Sequence, residues 1–178
     1  DSLEAFNRKF VDAQSIRLFM VSDAKKLLVR NLSISSVEIP NHPINDKGKR
    51  KIEIDEKFYI SGEDAKNFKE GARVRLLGLG NILIKKIGDE FEGELTNDED
   101  TKEIAKIQWV PQKTAHQIKM IIPKVLFIEE EFNEDSLEEI DVYTEPYYLQ
   151  LKEGEEIQFV RFGYCRKDSQ NQAIFTHK

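Results

Sequence analysis

Short runs rich in Ile, Val, Leu and aromatic residues, each cut off by turn formers, dominate this chain and constrain its fold more than any other feature. Runs at 16–21, 26–32, 34–39, 51–54, 57–60, 72–77, 82–87, 90–95, 103–110, 117–122, 125–129, 141–143, 147–151, 156–162 and 172–175 read as strands. Asn45-Asp46-Lys47-Gly48, Gly88-Asp89, Asn97-Asp98 and Lys152-Glu153-Gly154-Glu155 punctuate them. Only residues 2–10 read as a helix, with Ser2 placed to cap and Leu3, Phe6 and Phe10 on one stripe. Single helical turns are expected at 64–68 and 136–140. So many short strands imply an all-β barrel or sandwich. About 15 strands exceed what one small barrel uses, and no Pro-, Gly- or Ser-rich linker divides the chain. The expectation is two β-barrels packed directly together behind a short N-terminal helix. No repeat recurs at a fixed period.

Composition narrows the function. The chain has 178 residues, 11 of them Phe and 5 Tyr, enough bulk for a core. No apolar run approaches the roughly 20 residues of a membrane span. The opening Asp1-Ser2-Leu3-Glu4 has no basic n-region, so the expectation is a piece of a longer chain with no signal peptide. A single cysteine, Cys165, excludes a disulfide framework and suggests a reducing, cytoplasmic setting. The net charge of −6 is unevenly spread. Residues 89–103 hold eight carboxylates against Lys102, and 129–139 hold seven with no base. Without those two windows, which read as turns or loops, the remainder carries +8. Two readings stay open on charge alone: a basic binding face, or scattered lysines with solubilising acidic loops.

The residues of a self-contained enzyme are missing. His42, His116 and His177 have no metal-ligand spacing to Cys165 or to a carboxylate, so no metal site is expected. No nucleophile elbow, Walker loop or His-Glu-x-x-His occurs. Gly78-Leu79-Gly80-Asn81 precedes a strand rather than a helix and reads as a turn or bulge. The acids of 129–139 lack the Gly and the alternating spacing of a calcium loop. No catalytic residue is assigned.

Three segments combine cations with aromatic or amide groups: 12–19, 42–51 with Lys69, Arg73 and Arg75 downstream, and 158–166. Lysine and arginine attract phosphates, arginine and glutamine read base edges, and rings stack on unpaired bases. That mixture suits a single-stranded RNA loop. The structural alternatives are that Arg73 and Arg75 are the solvent face of a strand and that Phe159 and Phe162 are core.

Pro40-Asn41-His42-Pro43, Gly48-Lys49-Arg50-Lys51, Phe58-Tyr59-Ile60, Val74-Arg75-Leu76, Ile107-Gln108-Trp109-Val110 and Ile157-Gln158-Phe159-Val160-Arg161-Phe162-Gly163-Tyr164 occur in this order. Together they resemble the C-terminal anticodon-binding region of the class I glutamyl/glutaminyl-tRNA synthetases. Phe6-Asn7-Arg8-Lys9-Phe10-Val11-Asp12 and Arg17-Leu18-Phe19-Met20-Val21 resemble the archaeal and eukaryotic-type glutamyl enzymes more than the glutaminyl ones. The resemblance covers essentially the whole chain.

It implies two six-stranded barrels, related as a duplication with exchanged N-terminal strands, that hold a tRNA anticodon loop. The distal barrel is expected at roughly 37–120, and the proximal one at roughly 1–36 plus 121–178. The implied parent attaches glutamate to tRNA(Glu) using ATP and Mg, both bound in a catalytic half of the same polypeptide. This segment carries no cofactor. tRNA(Gln) is the second candidate partner, and a membrane is not expected. By resemblance Arg17, Gln158 and Arg161 read the middle anticodon base, and Asp12 lies near the loop. Arg75 serves the first base, where Leu77 replaces a second Arg of the relatives. Lys69, followed here by Glu70, serves the third. Gln108 stands where a histidine usually precedes Trp-Val. Lys47, Lys49, Arg50 and Lys51 are expected to hold phosphates or to remain mobile. Gln158 and Arg161 have opposite parity in a strand, so they reach one base only if a bulge or strand end intervenes. The alternatives are the corresponding glutaminyl region and a non-enzymatic rRNA- or protein-binding β-barrel module.

Overall fold

The computed structural model describes residues 2–124, 127–128, 131–132 and 137–178. The helix Ser2–Gln14 runs past the expected 2–10 because nothing through Gln14 breaks it. It stops at Ser15, whose N–H and hydroxyl both donate to the Val11 carbonyl, at 2.9 and 2.7 Å.

Two seven-stranded sheets follow. The proximal sheet runs Ile16–Leu18, Glu156–Phe159, Gly163–Ser169, Gln172–His177, His116–Pro123, Leu137–Thr144, Met20–Ser22. The distal sheet runs Ala105–Ile107, Arg73–Leu76, Gly80–Lys86, Glu90–Leu95, Ala24–Arg30, Lys57–Ser61, Val110–Pro111. In each, the first and last strands are halves of one chain segment, 16–22 or 105–111. Each sheet therefore closes into a barrel of six segments, with the closing one broken at Phe19 or at Gln108-Trp109. Closure removes the open edges that a flat sheet of these strands would present.

The two barrels repeat one pairing scheme. The first half of each closing segment pairs in parallel, with Glu156–Phe159 or with Arg73–Leu76. The second half pairs antiparallel, with Leu137–Thr144 or with Lys57–Ser61. Each closing segment also precedes, in the chain, the strands of the opposite barrel: 16–22 closes the proximal barrel and leads into the distal one, and 105–111 does the reverse. A two-stranded hairpin sits at the same place in both halves, Ser36–Pro40 with Lys49–Glu53 and Phe127–Ile128 with Glu131–Phe132.

The breaks in the closing segments are where the barrels grip each other. Phe19, on the proximal closing segment, enters the distal core beside Trp109 (ring centroids 5.6 Å apart). Gln108, on the distal closing segment, accepts the Met20 N–H (3.1 Å) and donates to the Val160 carbonyl (3.0 Å). Trp109 is fully buried and donates its indole N–H to the Leu77 carbonyl at 2.8 Å. Val37, Ile39 and Ile52 pin the hairpin 36–53 onto the distal core.

Three expectations change. Residues 147–151 form the 3₁₀ turn Pro146–Gln150 instead of a strand. Pro146 starts it with a preset φ and no N–H to offer a ladder. The buried Lys167 ammonium holds it by donating to the Tyr148 and Leu151 carbonyls, at 2.9 and 2.7 Å. Residues 137–140 belong to the strand Leu137–Thr144, whose ladder with His116–Pro123 outweighs the weak helical bias of Leu137-Glu138-Glu139. The helical turn expected at 64–68 sits at Gly62–Ala65. Of the run at 125–129, residues 125, 126 and 129 lie outside the described residues, as do 133–136.

The first acidic window is part strand, as the run at 90–95 reads, rather than all turn or loop. Glu90, Glu92 and Glu94 lie on a strand and face Lys26 (3.7 Å), Arg30 (3.2 Å) and Lys85 (3.7 Å). Much of the distal cationic surface is therefore already paired, although such exposed pairs add little stability.

Candidate nucleic-acid interface

Register builds the first part of the site. Arg17 pairs with Gln158 across parallel strands, Gln158 with Tyr164, and Tyr164 with His177. Leu18, Ile157 and Phe159 fill the proximal core. Alternation then turns Arg17 and Gln158 outward, and cross-strand neighbours share a face. The result is a row of planar groups on the outside of the proximal barrel. The Tyr164 hydroxyl donates to Asp12 Oδ1 at 2.7 Å, and Arg17 Nη2 lies 3.6 Å from the same oxygen. The Tyr164 and His177 rings stack with centroids 4.7 Å apart. Arg17 Nε and Gln158 Oε1 are buried yet have no hydrogen-bond partner among the described residues. Buried donors and acceptors are rarely left so. Thr114 Oγ1 and Glu156 Oε2 share that state, and among the described residues only the Arg17–Gln158 pair combines it with neighbouring base-reading groups.

The parity conflict between Gln158 and Arg161 is resolved by a strand end. The chain turns over residues 159–162, closed by the Phe162 N–H on the Phe159 carbonyl (3.0 Å), with Arg161 left-handed at φ 62°. Gly163 follows at φ 149°, where a Cβ would meet Phe175 Cε2 at 2.6 Å and the His177 carbonyl oxygen at 2.9 Å, so only glycine fits. Arg161 thus leaves the strand and shares with Gln158 a concavity of about 530 Å³, also lined by Phe162, Tyr164, Phe175 and Lys178. Phe159 is core, whereas Phe162 is half-buried on this wall. A second hollow of about 300 Å³ adjoins it through Arg161 and Phe162 and is walled by Asp64 and Gln108. The Arg161 guanidinium forks onto Asp64, Nη1 to Oδ1 at 3.1 Å and Nη2 to Oδ2 at 2.7 Å.

The hairpin loop docks beside this row. His42 Nδ1 accepts the N–H groups of Ile44 (3.1 Å) and Asn45 (2.9 Å). That assigns the proton to Nε2, which donates to the Asp12 carbonyl at 2.9 Å. The Arg17 N–H donates to the Asn41 carbonyl at 2.7 Å. Lys47 and Lys49 are therefore held exposed at the same end of the molecule as Asp12 and Arg17. Arg50 does not join them, and the expectation of a phosphate contact is corrected. It is 2% exposed and forks onto the fully buried Glu145, with Nη2 to Oε2 at 2.9 Å and Nε bonded to Oε1. Strand alternation explains this: Lys49 and Lys51 face solvent, while Arg50 and Ile52 face the core. Burial pushes the Glu145 carboxyl up, opposed by the Arg50 charge and by the Phe19 N–H that it accepts at 2.8 Å.

Lys69 and Arg75 lie on the distal barrel, apart from the Arg17 row. Lys69 is exposed at a turn closed by the Ala72 N–H on its carbonyl (3.1 Å). Arg75 donates to Asn81 Oδ1 at 3.0 Å, and Asn81 is itself held by Asp98 and by the Asp100 carbonyl. Arg73 and Asp98 pair at 2.8 Å. The Arg73 hydrogen bond, helped by Thr96 and Asn81, holds the Asp98 carboxyl at about 2. The unfolded chain protonates this group first, near about 4. Its stabilisation is thus present above that value and lost as pH falls toward about 2. Asp98→Asn is expected to lower the urea midpoint at neutral pH, with the gap to the unmodified chain closing over that acid range. A gap that stays constant with pH would assign the effect to something other than this charge.

Asp64, Gln108 and Glu145 were not legible as site builders, since their partners are remote in sequence. Gln108 alone carried a signal, as a departure from the family pattern. Among the described residues no cluster of His, Cys, Asp or Glu is arranged to hold a metal, and no helix is long and apolar enough to cross a membrane.

Comparison with known proteins gives a consistent result. Residues 15–101 match a family model described as tRNA synthetases class I (E and Q), anti-codon binding domain, and residues 106–168 match a second model with the same description. Each match begins at the start of one of the exchanged closing segments, within one residue. The chain is 75% identical over 178 residues to a glutamate–tRNA ligase of Nitrosopumilus maritimus. It is 46% identical over 176 residues to that of Cenarchaeum symbiosum, and 32% over 193 to that of Pyrococcus furiosus. These alignments cover 99–100% of the chain but 31% of each relative, so the chain spans about a third of their length.

Proposed function

The chain belongs to the class I (E and Q) tRNA synthetase anticodon-binding family, and from that membership we propose that it grips a tRNA anticodon loop and reads its unstacked bases by their edges. What carries the reading is that Gln158 and Arg161 line one concavity and Arg17 stands beside Gln158 in register, with two buried polar atoms of that set unpartnered among the described residues. These three take the middle base, and Tyr164 and Phe162 bound its pocket. Asp12 orients Arg17. Lys47 and Lys49 take phosphates, and Arg75 and Lys69 serve the neighbouring bases on the distal barrel. The two barrels are the proximal and distal working units.

The parent polypeptide, in this reading, attaches glutamate to tRNA(Glu) in the cytoplasm, with ATP and Mg bound in its catalytic half. The exposed stripe Leu3, Phe6 and Phe10, each more than half exposed, suits contact with that half. tRNA(Gln), which shares the middle uridine by resemblance, is the competing substrate.

Filter binding of glutamate, glutamine and unrelated tRNAs at two salt concentrations tests the reading. The glutamate tRNA is expected to bind best, with an affinity that falls steeply with salt. Lys49→Ala should weaken all tRNAs alike and reduce the log–log salt slope by about 0.7. Indifference to tRNA identity, or no RNA binding at low salt, would count for a protein-binding module instead.

A further inference from the structure

We infer that Asp64, on the distal barrel, sets Arg161 to read a base rather than to hold a phosphate; this rests on the anticodon reading above. A half-exposed arginine beside a polyanion ordinarily adds sequence-independent attraction. Arg161 differs in being already paired. Its side chain is 50% exposed, whereas the Asp64 side chain facing it is only 10% exposed, and the pair is bonded through both Nη atoms at 3.1 and 2.7 Å.

Two consequences follow. The carboxylate cancels most of the long-range field of the guanidinium, so Arg161 gives up its general pull on RNA. The end-on fork uses one hydrogen from each Nη and leaves the Nε side of the same rigid plane unbonded to Asp64. That edge is fixed in direction, because Asp64 sits on a short helix of the distal barrel and Gln108 clamps the Val160 carbonyl at the start of the turn. Both restraints come from the barrel opposite to the one that carries Gln158. The orientation of the reading group is thus set across the inter-barrel junction, and Asp64 is a positioning and specificity residue that touches no base itself.

The test uses the full chain with a glutamate tRNA and middle-base variants of it, across a salt series, with thermal unfolding as the folding control. Asp64→Asn removes the charge and replaces one acceptor by a donor. It is expected to steepen the log–log salt slope by about 0.7, as one cation is freed for phosphate. Discrimination among the middle-base variants should fall about tenfold. Asp64→Glu keeps the charge but displaces the fork, and is expected to lower discrimination with the slope unchanged. An unchanged slope and unchanged discrimination in Asp64→Asn, while the unmodified chain discriminates, would overturn this inference and leave the anticodon reading standing. Equal loss of affinity for all variants would do the same and make Asp64 merely structural. Failure of the unmodified chain to discriminate at all would overturn both.

Discussion

Glu145→Ala is expected to cost about 3–5 kcal/mol of folding stability, because it strands the Arg50 guanidinium without its counter-charge between the barrels. Among the described residues Arg50 keeps the Pro40 carbonyl (3.1 Å), the Asn41 side chain (3.4 Å) and the Phe19 ring, which cannot replace a carboxylate. The Phe19 N–H loses its acceptor as well. Urea unfolding measures the loss directly. Replacing both partners, Arg50→Met with Glu145→Leu, should recover part of it, since the stranded charge is gone while the buried Phe19 N–H still lacks its acceptor. A single variant within about 0.5 kcal/mol of the unmodified chain, or a double variant no better than the single, would contradict the assigned role. The pair joins the hairpin 36–53 to the end of the proximal strand Leu137–Thr144. Its loss should therefore also loosen the exposed Lys47 and Lys49 and weaken RNA binding in step with stability.

Arg161→Ala is expected to cost about 1–3 kcal/mol of tRNA binding, concentrated at one base of the anticodon. Removing a guanidinium already neutralised by Asp64 should leave the salt slope nearly unchanged, in contrast to Lys49→Ala. Competition binding with tRNAs altered singly at each anticodon position shows where the loss falls. A uniform loss, together with a flattened salt dependence, would place Arg161 among the phosphate contacts instead. Phe162 and Tyr164 bound the same concavity, so a cavity-preserving change such as Arg161→Lys is the informative partner. Lysine keeps the charge but lacks the planar fork, and it should not restore selectivity.

Much of the fold was readable from local pattern. The short runs rich in Ile, Val, Leu and aromatic residues, with the Gly- and Asn-bearing turns between them, placed most strands within a few residues. The errors have physical causes. At 147–151 an aromatic-rich run became a 3₁₀ turn because Pro146 and the buried Lys167 together favour a tight turn over a ladder. At 137–140 the backbone ladder with His116–Pro123 overrode a helical bias. Arg50 looked like one more base in Lys49-Arg50-Lys51. Its inward parity was consistent with the alternation, yet nothing nearby revealed a buried acid for it to meet, since Glu145 lies 95 residues away in the chain.

By itself the order of residues determined that this chain is β-rich, that its cations and amides suit unpaired RNA, and to which family those motifs belong, because each of these depends on neighbours along the chain. Only the folded molecule decided which side chains meet. It closed both barrels through exchanged segments, bent the strand end so that Arg161 joins Gln158, sealed Arg50 against Glu145, and set Asp64 against Arg161 across the junction. Those pairings depend on three-dimensional register and on burial, and the ones that join residues far apart in sequence, such as Arg50–Glu145 and Asp64–Arg161, leave no periodic trace along the chain.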